Sequence, residues 1–255
     1  MRTTAPKLTL VGAGPGDAEL LTLKGVRVLE EADAVLYDDL ANRSLLAYAP
    51  AHAHRYYVGK RAGQPSTPQS VINKLIVELA HEVGHVVRLK GGDSFVFGRG
   101  YEEIEYARLH GLTCEVVPGI SSCIAVPASQ GIPVTSRGIS ESFWVITGTT
   151  RSGELSADLR LAAQSNATVV VLMGLSKVTE LCELYRQFGR DHLPMAVIQN
   201  GTRTNERCVV GQVWNIPQLI AEQGVGAPAV LIVGEVVALH PAYVAEYAQG
   251  LLQAC

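Results

Sequence analysis

The first chemistry legible in this chain lies in Leu10-Val-Gly-Ala-Gly-Pro-Gly-Asp17. A strand-like run over residues 7–11 feeds a glycine turn, the arrangement by which nucleotide-binding α/β folds bring backbone against a ligand. A dinucleotide fingerprint requires a third glycine at position 17, inside the first turn of a helix. Asp17 stands there instead, and Pro15 and Gly16 occupy the helix start. Pro15 has no N–H to offer a pyrophosphate, and Gly16 disfavours helix. The turn suits a ligand without phosphates, such as an adenosine sulfonium, better than it suits NAD.

Four further segments combine small, polar and glycine residues. In Leu89-Lys-Gly-Gly-Asp-Ser-Phe-Val-Phe-Gly-Arg-Gly100, Gly91 and Gly92 permit close backbone approach to a ligand. Asp93 can accept hydrogen bonds from an amino group or ribose hydroxyls, offset a positive charge, or cap the next helix. In Val117-Pro-Gly-Ile-Ser-Ser122, Ser121 and Ser122 read as helix caps when taken alone. Met173 of Val171-Leu-Met-Gly174, taken alone, reads as core packing, and Gln199-Asn-Gly-Thr202 as a turn. Their shared placement carries the argument. All five segments follow predicted strands, in both halves of the chain, and such strand ends can line one cleft between two domains. Asp38 and Asp39 follow the second strand at the distance of a ribose-binding acid, which keeps an NAD-dependent oxidoreductase open as an alternative. Lys60 and Arg61 form a local basic pair. The plain reading of both charge pairs is solvated loop.

The elements that must position these residues follow from alternation of β-branched runs with amphipathic ones. Predicted strands cover 8–12, 34–37, 54–58, 85–90 and 113–117, then 143–147, 168–173, 195–199, 207–211 and 229–234. Predicted helices cover 22–31, 68–82, 100–110, 176–188, 216–223 and 241–252, with a short one over 121–130. Val71, Ile72, Leu75, Ile76 and Leu79 mark one buried helical face. The pattern is α/β, with mainly parallel strands in two α/β domains. Prolines and glycines over 118–137 place the divide near residues 134–139, giving domains 1–136 and 137–255.

The chain has 255 residues, 47% hydrophobic and 18% charged, with a net charge of −3, so composition offers no nucleic-acid footprint. Five scattered cysteines form no C-x-x-C pair, which points to neither a zinc site nor a disulfide framework and fits a reducing cytoplasm. There is no signal-peptide pattern and no apolar run of membrane-spanning length.

Together these segments resemble the uroporphyrinogen III C-methyltransferases of the tetrapyrrole methylase family. The family opening G-A-G-P-G-D-x-x-L-L-T-L-K is matched by residues 12–24 and its acid motif by Tyr37-Asp38. V-G-K-R is matched by 58–61, G-G-D-P-F-x-F-G-R-G by 91–100, E-V-V-P-G-I-T by 115–121 and G-I-P-V-T-x-R-G by 131–138. Y-M-G and E-N-G-T are matched by 172–174 and 199–202, so the resemblance runs in order from about residue 8 to 239. It implies a two-domain α/β homodimer of the tetrapyrrole methylase fold that binds S-adenosyl-L-methionine in the interdomain cleft. By the same resemblance Pro15, Gly91, Gly92, Asp93, Val96, Ser121, Ser122, Met173 and Gly201 contact the cofactor, and Asp38 and Lys60 match positions of a proton acceptor and donor. The implied reaction is two successive C-methylations of uroporphyrinogen III, giving precorrin-2 by way of precorrin-1, with no metal, nucleic acid or membrane. Ser94, Ser121 and Ser136 replace the family's usual Pro, Thr and His; Ser121 keeps the hydroxyl, whereas Ser136 removes an imidazole.

A sulfonium is already an electrophile, and a reduced pyrrole ring is electron-rich, so such a reaction needs positioning more than a protein nucleophile. A carboxylate such as Asp38 can receive the proton lost after methylation or steady the developing cation. Lys60 is better suited to holding a substrate carboxylate than to donating a proton. An eight-carboxylate substrate on a net acidic protein calls for a local basic rim, with Lys60, Arg61, Arg99, Arg137, Arg151 and Arg203 as candidates. Alternatives within the fold are methylation of a later corrinoid precursor, a protein or ribosomal RNA; a non-catalytic tetrapyrrole carrier is a third class.

Overall fold

Ten strands form two five-stranded sheets among the residues that the computed structural model describes, 5–59 and 67–243. The chain divides into two compact units, the first ending at Ser121 and the second starting at Ser122.

The first unit carries β1 (Lys7–Gly12), β2 (Ala34–Tyr37), β3 (His54–Tyr57), β4 (His85–Lys90) and β5 (Thr113–Val117) in the order β3-β2-β4-β1-β5. Every pairing is parallel, so all five carboxyl ends lie on one edge. Helices α1 (Leu23–Glu30), α2 (Gln69–Val83) and α3 (Gly100–Leu109) complete the unit. Alternation along the strands fills two cores. Val11, Val35, Val87 and Leu89 pack with Val28 and Leu29 of α1. Leu8, Leu10, Leu36 and Val86 pack with Ile72, Ile76 and Leu79 of α2 and with Ile104 and Ala107 of α3. The buried stripe of α2 therefore runs 72–76–79–80. Val71, expected on it, is 49% exposed, because it lies one residue and about 100° around the helix from Ile72.

The second unit carries α4 (Ser122–Ser129), β6 (Phe143–Thr147), α5 (Asp158–Ala162), β7 (Thr168–Leu172), α6 (Val178–Gln187), β8 (Pro194–Gln199), β9 (Arg207–Gln212), α7 (Ile216–Gln223) and β10 (Ala229–Val233). The sheet order is β6-β7-β10-β8-β9. Here the expectation of mainly parallel strands fails: only β6 and β7 pair in parallel, while β10 runs antiparallel to both neighbours and β9 antiparallel to β8. The 200–206 turn is too short for a crossover, so β8 and β9 form a hairpin. A single apolar cluster containing Leu159, Val171, Leu181, Tyr185, Met195, Val197 and Leu231 fills one face. Helix α4 packs against β7 and β10, which places the 122–136 segment with the second unit and the divide earlier than residue 136. Among the described residues no helix is long and apolar enough to cross a membrane.

Candidate functional site

The glycine turn after β1 does not open a helix. Asp17 Oδ1 accepts the Glu19 N–H at the start of a 3-10 turn over Ala18–Leu20, and α1 begins only at Leu23. A helix N-terminus aimed at a pyrophosphate is therefore missing from this turn, as Pro15 and Asp17 implied. The glycines instead allow three strand ends to touch. Gly14 and Gly92 exchange backbone hydrogen bonds, and a Cβ on Gly12 would strike the backbone of Gly119 and Gly92. A Cβ on Gly91 would meet Leu40 Cβ at 2.5 Å. Gly91 is thus a packing glycine, and the loops after β1, β2, β4 and β5 are held backbone to backbone.

Asp93 ties this assembly. Its Oδ1 accepts the Phe95 N–H at 2.8 Å and its Oδ2 the Gly119 N–H at 3.0 Å, joining the β4 and β5 loops. A carboxylate has about four acceptor sites, so capacity remains for a ligand donor. Val96 is half-buried, while Leu40, Phe95, Phe97 and Ile120 expose large apolar side chains on these same loops. The carboxyl edge of the first sheet thus offers apolar surface beside a fixed acid, matching a ligand with a flat apolar part and hydroxyl or amino donors.

Asp38 leaves the end of β2 half-buried. Its Oδ1 accepts the Leu40 N–H at 3.1 Å and its Oδ2 an N–H of Arg88 at 2.8 Å. It is therefore not a solvated loop charge. Below it lies a group that sequence reasoning missed: Arg88 and Lys90 of β4 and Glu103 of α3, all buried. Glu103 Oε1 accepts from Lys90 Nζ at 3.0 Å, Gln69 Nε2 at 2.9 Å and Arg88 Nε at 3.4 Å. Burial pushes the Lys90 ammonium below the usual lysine range, and Arg88 pushes the same way against the opposing pull of Glu103. Two cations at alternate positions of a buried strand, apolar between His85 and Arg88, were the available signal. Asp39 is separate; it accepts the Tyr57 hydroxyl at 2.7 Å. Lys60 and Arg61 lie outside the described residues. Of the other rim candidates, Arg99 is engaged by Glu102 through two hydrogen bonds of 2.9 and 2.7 Å, and Arg137 and Arg151 are exposed.

Ser121, the last residue of the first unit, is buried, and Ser122 opens α4 half-buried. In the second unit, β6, β7 and β8 run the same way and end on one edge. Met173, just past β7, is 53% exposed with φ +56°, so it is not core packing. Its carbonyl accepts the Thr149 hydroxyl at 2.9 Å, linking the β6 and β7 loops. Gly201 is buried in the β8–β9 turn, where a Cβ would collide with Val126 of α4. Glu206, also unmarked in the sequence, fastens this turn by accepting from Thr202 N, Ser129 Oγ and the Gln130 side chain.

Residues 7–217 match the tetrapyrrole (corrin/porphyrin) methylases. The chain belongs to this family. This tetrapyrrole methylase is 46% identical to the uroporphyrinogen-III C-methyltransferase of Methanocaldococcus jannaschii, over 91% of this chain and 96% of that one. It is 43% identical to the siroheme synthase of Nitrosomonas europaea over 91% of this chain, but spans only 49% of that longer protein. Among solved structures it resembles uroporphyrin-III C-methyltransferase from Thermus thermophilus complexed with S-adenosylhomocysteine. That likeness has a TM-score of 0.76 and 39% identity, covering 91% of this chain and 99% of the other. The close backbone crossings around Gly12, Gly92 and Gly119 and the fixed acid Asp93 of this tetrapyrrole methylase are consistent with an adenosyl ligand, whose sugar and base bring donors and apolar area but no phosphate.

Proposed function

We propose that this tetrapyrrole methylase transfers two methyl groups in succession from S-adenosyl-L-methionine to uroporphyrinogen III, giving precorrin-2 by way of precorrin-1. The observation that carries this reading is the near full-length, 46% identity with a uroporphyrinogen-III C-methyltransferase. The phosphate-averse glycine turn supports the donor class independently.

When bound, S-adenosyl-L-methionine supplies an electrophilic methyl on sulfur; the remaining demands fall on the protein. Pro15, Gly91, Gly92, Asp93, Val96, Ser121, Ser122, Met173 and Gly201 hold the donor. They do so largely through backbone groups that the glycine contacts keep rigid. Asp38 accepts the proton that the methylated ring sheds, or offsets the ring's positive charge while it exists. Lys60, with exposed arginines such as Arg137 and Arg151, holds substrate carboxylates. No metal takes part. The working form is a homodimer in the cytoplasm, acting on a small tetrapyrrole without nucleic acid or membrane.

The test is incubation with S-adenosyl-L-methionine and enzymatically generated uroporphyrinogen III, followed by mass spectrometry. A product heavier by two methyl groups supports the reading. An unmethylated macrocycle, with a later corrinoid precursor methylated instead, overturns it.

A further inference from the structure

We propose that Arg88 is the positioning residue for Asp38, and that Glu103 together with Lys90 forms the buried footing that holds Arg88 in place. The inference rests on the reading of Asp38 as the proton-accepting carboxylate.

The pattern of β4 is the starting point. Val86 faces the core shared with α2 and α3, so by alternation Arg88 and Lys90 face the same layer. A cation buried in that layer is costly unless it is paired and hydrogen-bonded. Lys90 is matched by Glu103 at 3.0 Å. Arg88 makes a different set of bonds. Its Nη1 donates to the carbonyls of Leu89 at 2.9 Å and Leu36 at 3.4 Å, and its Nε to Glu103 at 3.4 Å. The remaining arm, Nη2, reaches Asp38 at 2.8 Å. The guanidinium is therefore pinned to the backbone of β2 and β4, the two strands paired through Tyr37 and Leu89 immediately before Asp38. Through it, the orientation of a carboxylate on a loop is set by the sheet.

Stability does not account for this arrangement. Buried ion pairs can often be replaced by apolar residues of similar volume with no loss. The Oε2 of Glu103 is buried with no hydrogen-bond partner among the described residues, so the cluster is not optimised as a fold-stabilising network. What the arrangement achieves is a rigid acceptor. A flat five-donor fork can serve four acceptors in fixed directions, whereas a lysine ammonium at this position would have to leave some of them unmet. Proton acceptance depends on such placement at the scale of an ångström.

The experiment is a double-mutant cycle in the full-length protein with S-adenosyl-L-methionine and uroporphyrinogen III. Arg88→Lys is expected to lower kcat about 100-fold while leaving KM for the donor within about twofold. In an Asp38→Asn background the same change is expected to cost less than about threefold, because the group it positions is already disabled. An equal cost in both backgrounds, or a rise in KM alone, overturns the proposal. If Arg88→Lys does not fold, Glu103→Gln, nearly identical in shape, enters the cycle under the same criteria. A second readout is independent of turnover: the crystal structure of the variant. There the Asp38 carboxylate is expected to leave its rotamer while β2 and β4 superpose on the parent, and an unmoved Asp38 overturns the proposal. If the parent protein methylates no uroporphyrinogen, or Asp38→Asn retains full kcat, the functional reading fails, while the crystallographic arm still decides the positioning.

Discussion

Arg88 and Asp38 meet at 2.8 Å with unequal surroundings: the arginine side chain is 4% exposed and the aspartate 25%. One end of the pair belongs to the core and the other to the edge where the family's ligands are expected. Removing the arginine head while keeping its volume, as in Arg88→Met, strands Glu103 and Lys90 as a distorted buried pair and frees Asp38. Loss of one partner from such a cluster typically costs about 3–5 kcal/mol. Urea melts are expected to show a lower midpoint at unchanged m-value.

Gly119 is a point where backbone meets backbone. An added Cβ would strike the Gly92 carbonyl and, at 2.6 and 2.7 Å, the C and Cα of Gly12. Since none of these atoms belongs to a flexible side chain, Gly119→Ala must separate the β1, β4 and β5 loops. A loss of about 1–3 kcal/mol follows from overpacking alone. Calorimetric titration with S-adenosylhomocysteine is expected to show binding weakened at least tenfold. Gly131→Ala, where φ is +68° but nothing lies within 4 Å, serves as a control that lowers stability without affecting that affinity.

His85 is held neutral. Its Nδ1–H donates to the Glu31 carbonyl at 3.1 Å and its Nε2 accepts the Thr9 hydroxyl at 2.9 Å. Burial lowers its pKa from the ordinary 6.5, aided by Lys7 and opposed by the Glu31 bond and by Asp33. Between about 6.5 and the lower native value, the unfolded chain binds a proton that the native chain refuses. Stability therefore falls as pH drops through that window and is full above it. In denaturant melts from pH 7.5 to 5, His85→Gln is expected to flatten this acid limb relative to the parent. An unchanged slope would count against the neutral buried ring.

Tyr185 is 2% exposed, and its hydroxyl has no hydrogen-bond partner among the described residues. It sits beside a cavity of about 300 Å³ lined by Asn166, Arg190 and Leu193. A buried hydroxyl without a partner is a cost. Tyr185→Phe is expected to leave thermal stability unchanged or raise it by up to about 1 kcal/mol. A loss above 1 kcal/mol would reveal an ordered water that the hydroxyl serves.

Much of the architecture was legible from local pattern. All ten predicted strands are present with bounds within about a residue, and 216–223 is a helix as predicted, because burial on a strand or helix face imposes its period on the residues themselves. The direction of the second sheet was legible only in part. The short 200–206 connection forces β9 to return as a hairpin, but nothing local sets β10 antiparallel between β7 and β8. The divide between units was drawn too late for a similar reason: Pro127 and Pro133 look like linker, while Pro127 lies inside α4, packed on the second sheet.

The residue types and their order determined the character of the glycine turn on their own. Pro15 and Asp17 remove a donor and a helix start from the glycine turn, and that chemistry is local and covalent. Only the tertiary structure decided what surrounds Asp38. Arg88 is 50 residues away along the chain, and Glu103 a further 15, and they meet because parallel pairing sets β2 beside β4 and α3, packed over β1 and β5, reaches β4 through the Glu103 side chain. The glycines divide the same way. The sequence marks Gly12, Gly91 and Gly92 as sites of close approach, but whether each faces a ligand or another backbone depends on which strands are neighbours. That choice is made by long-range pairing, to which no window of sequence has access.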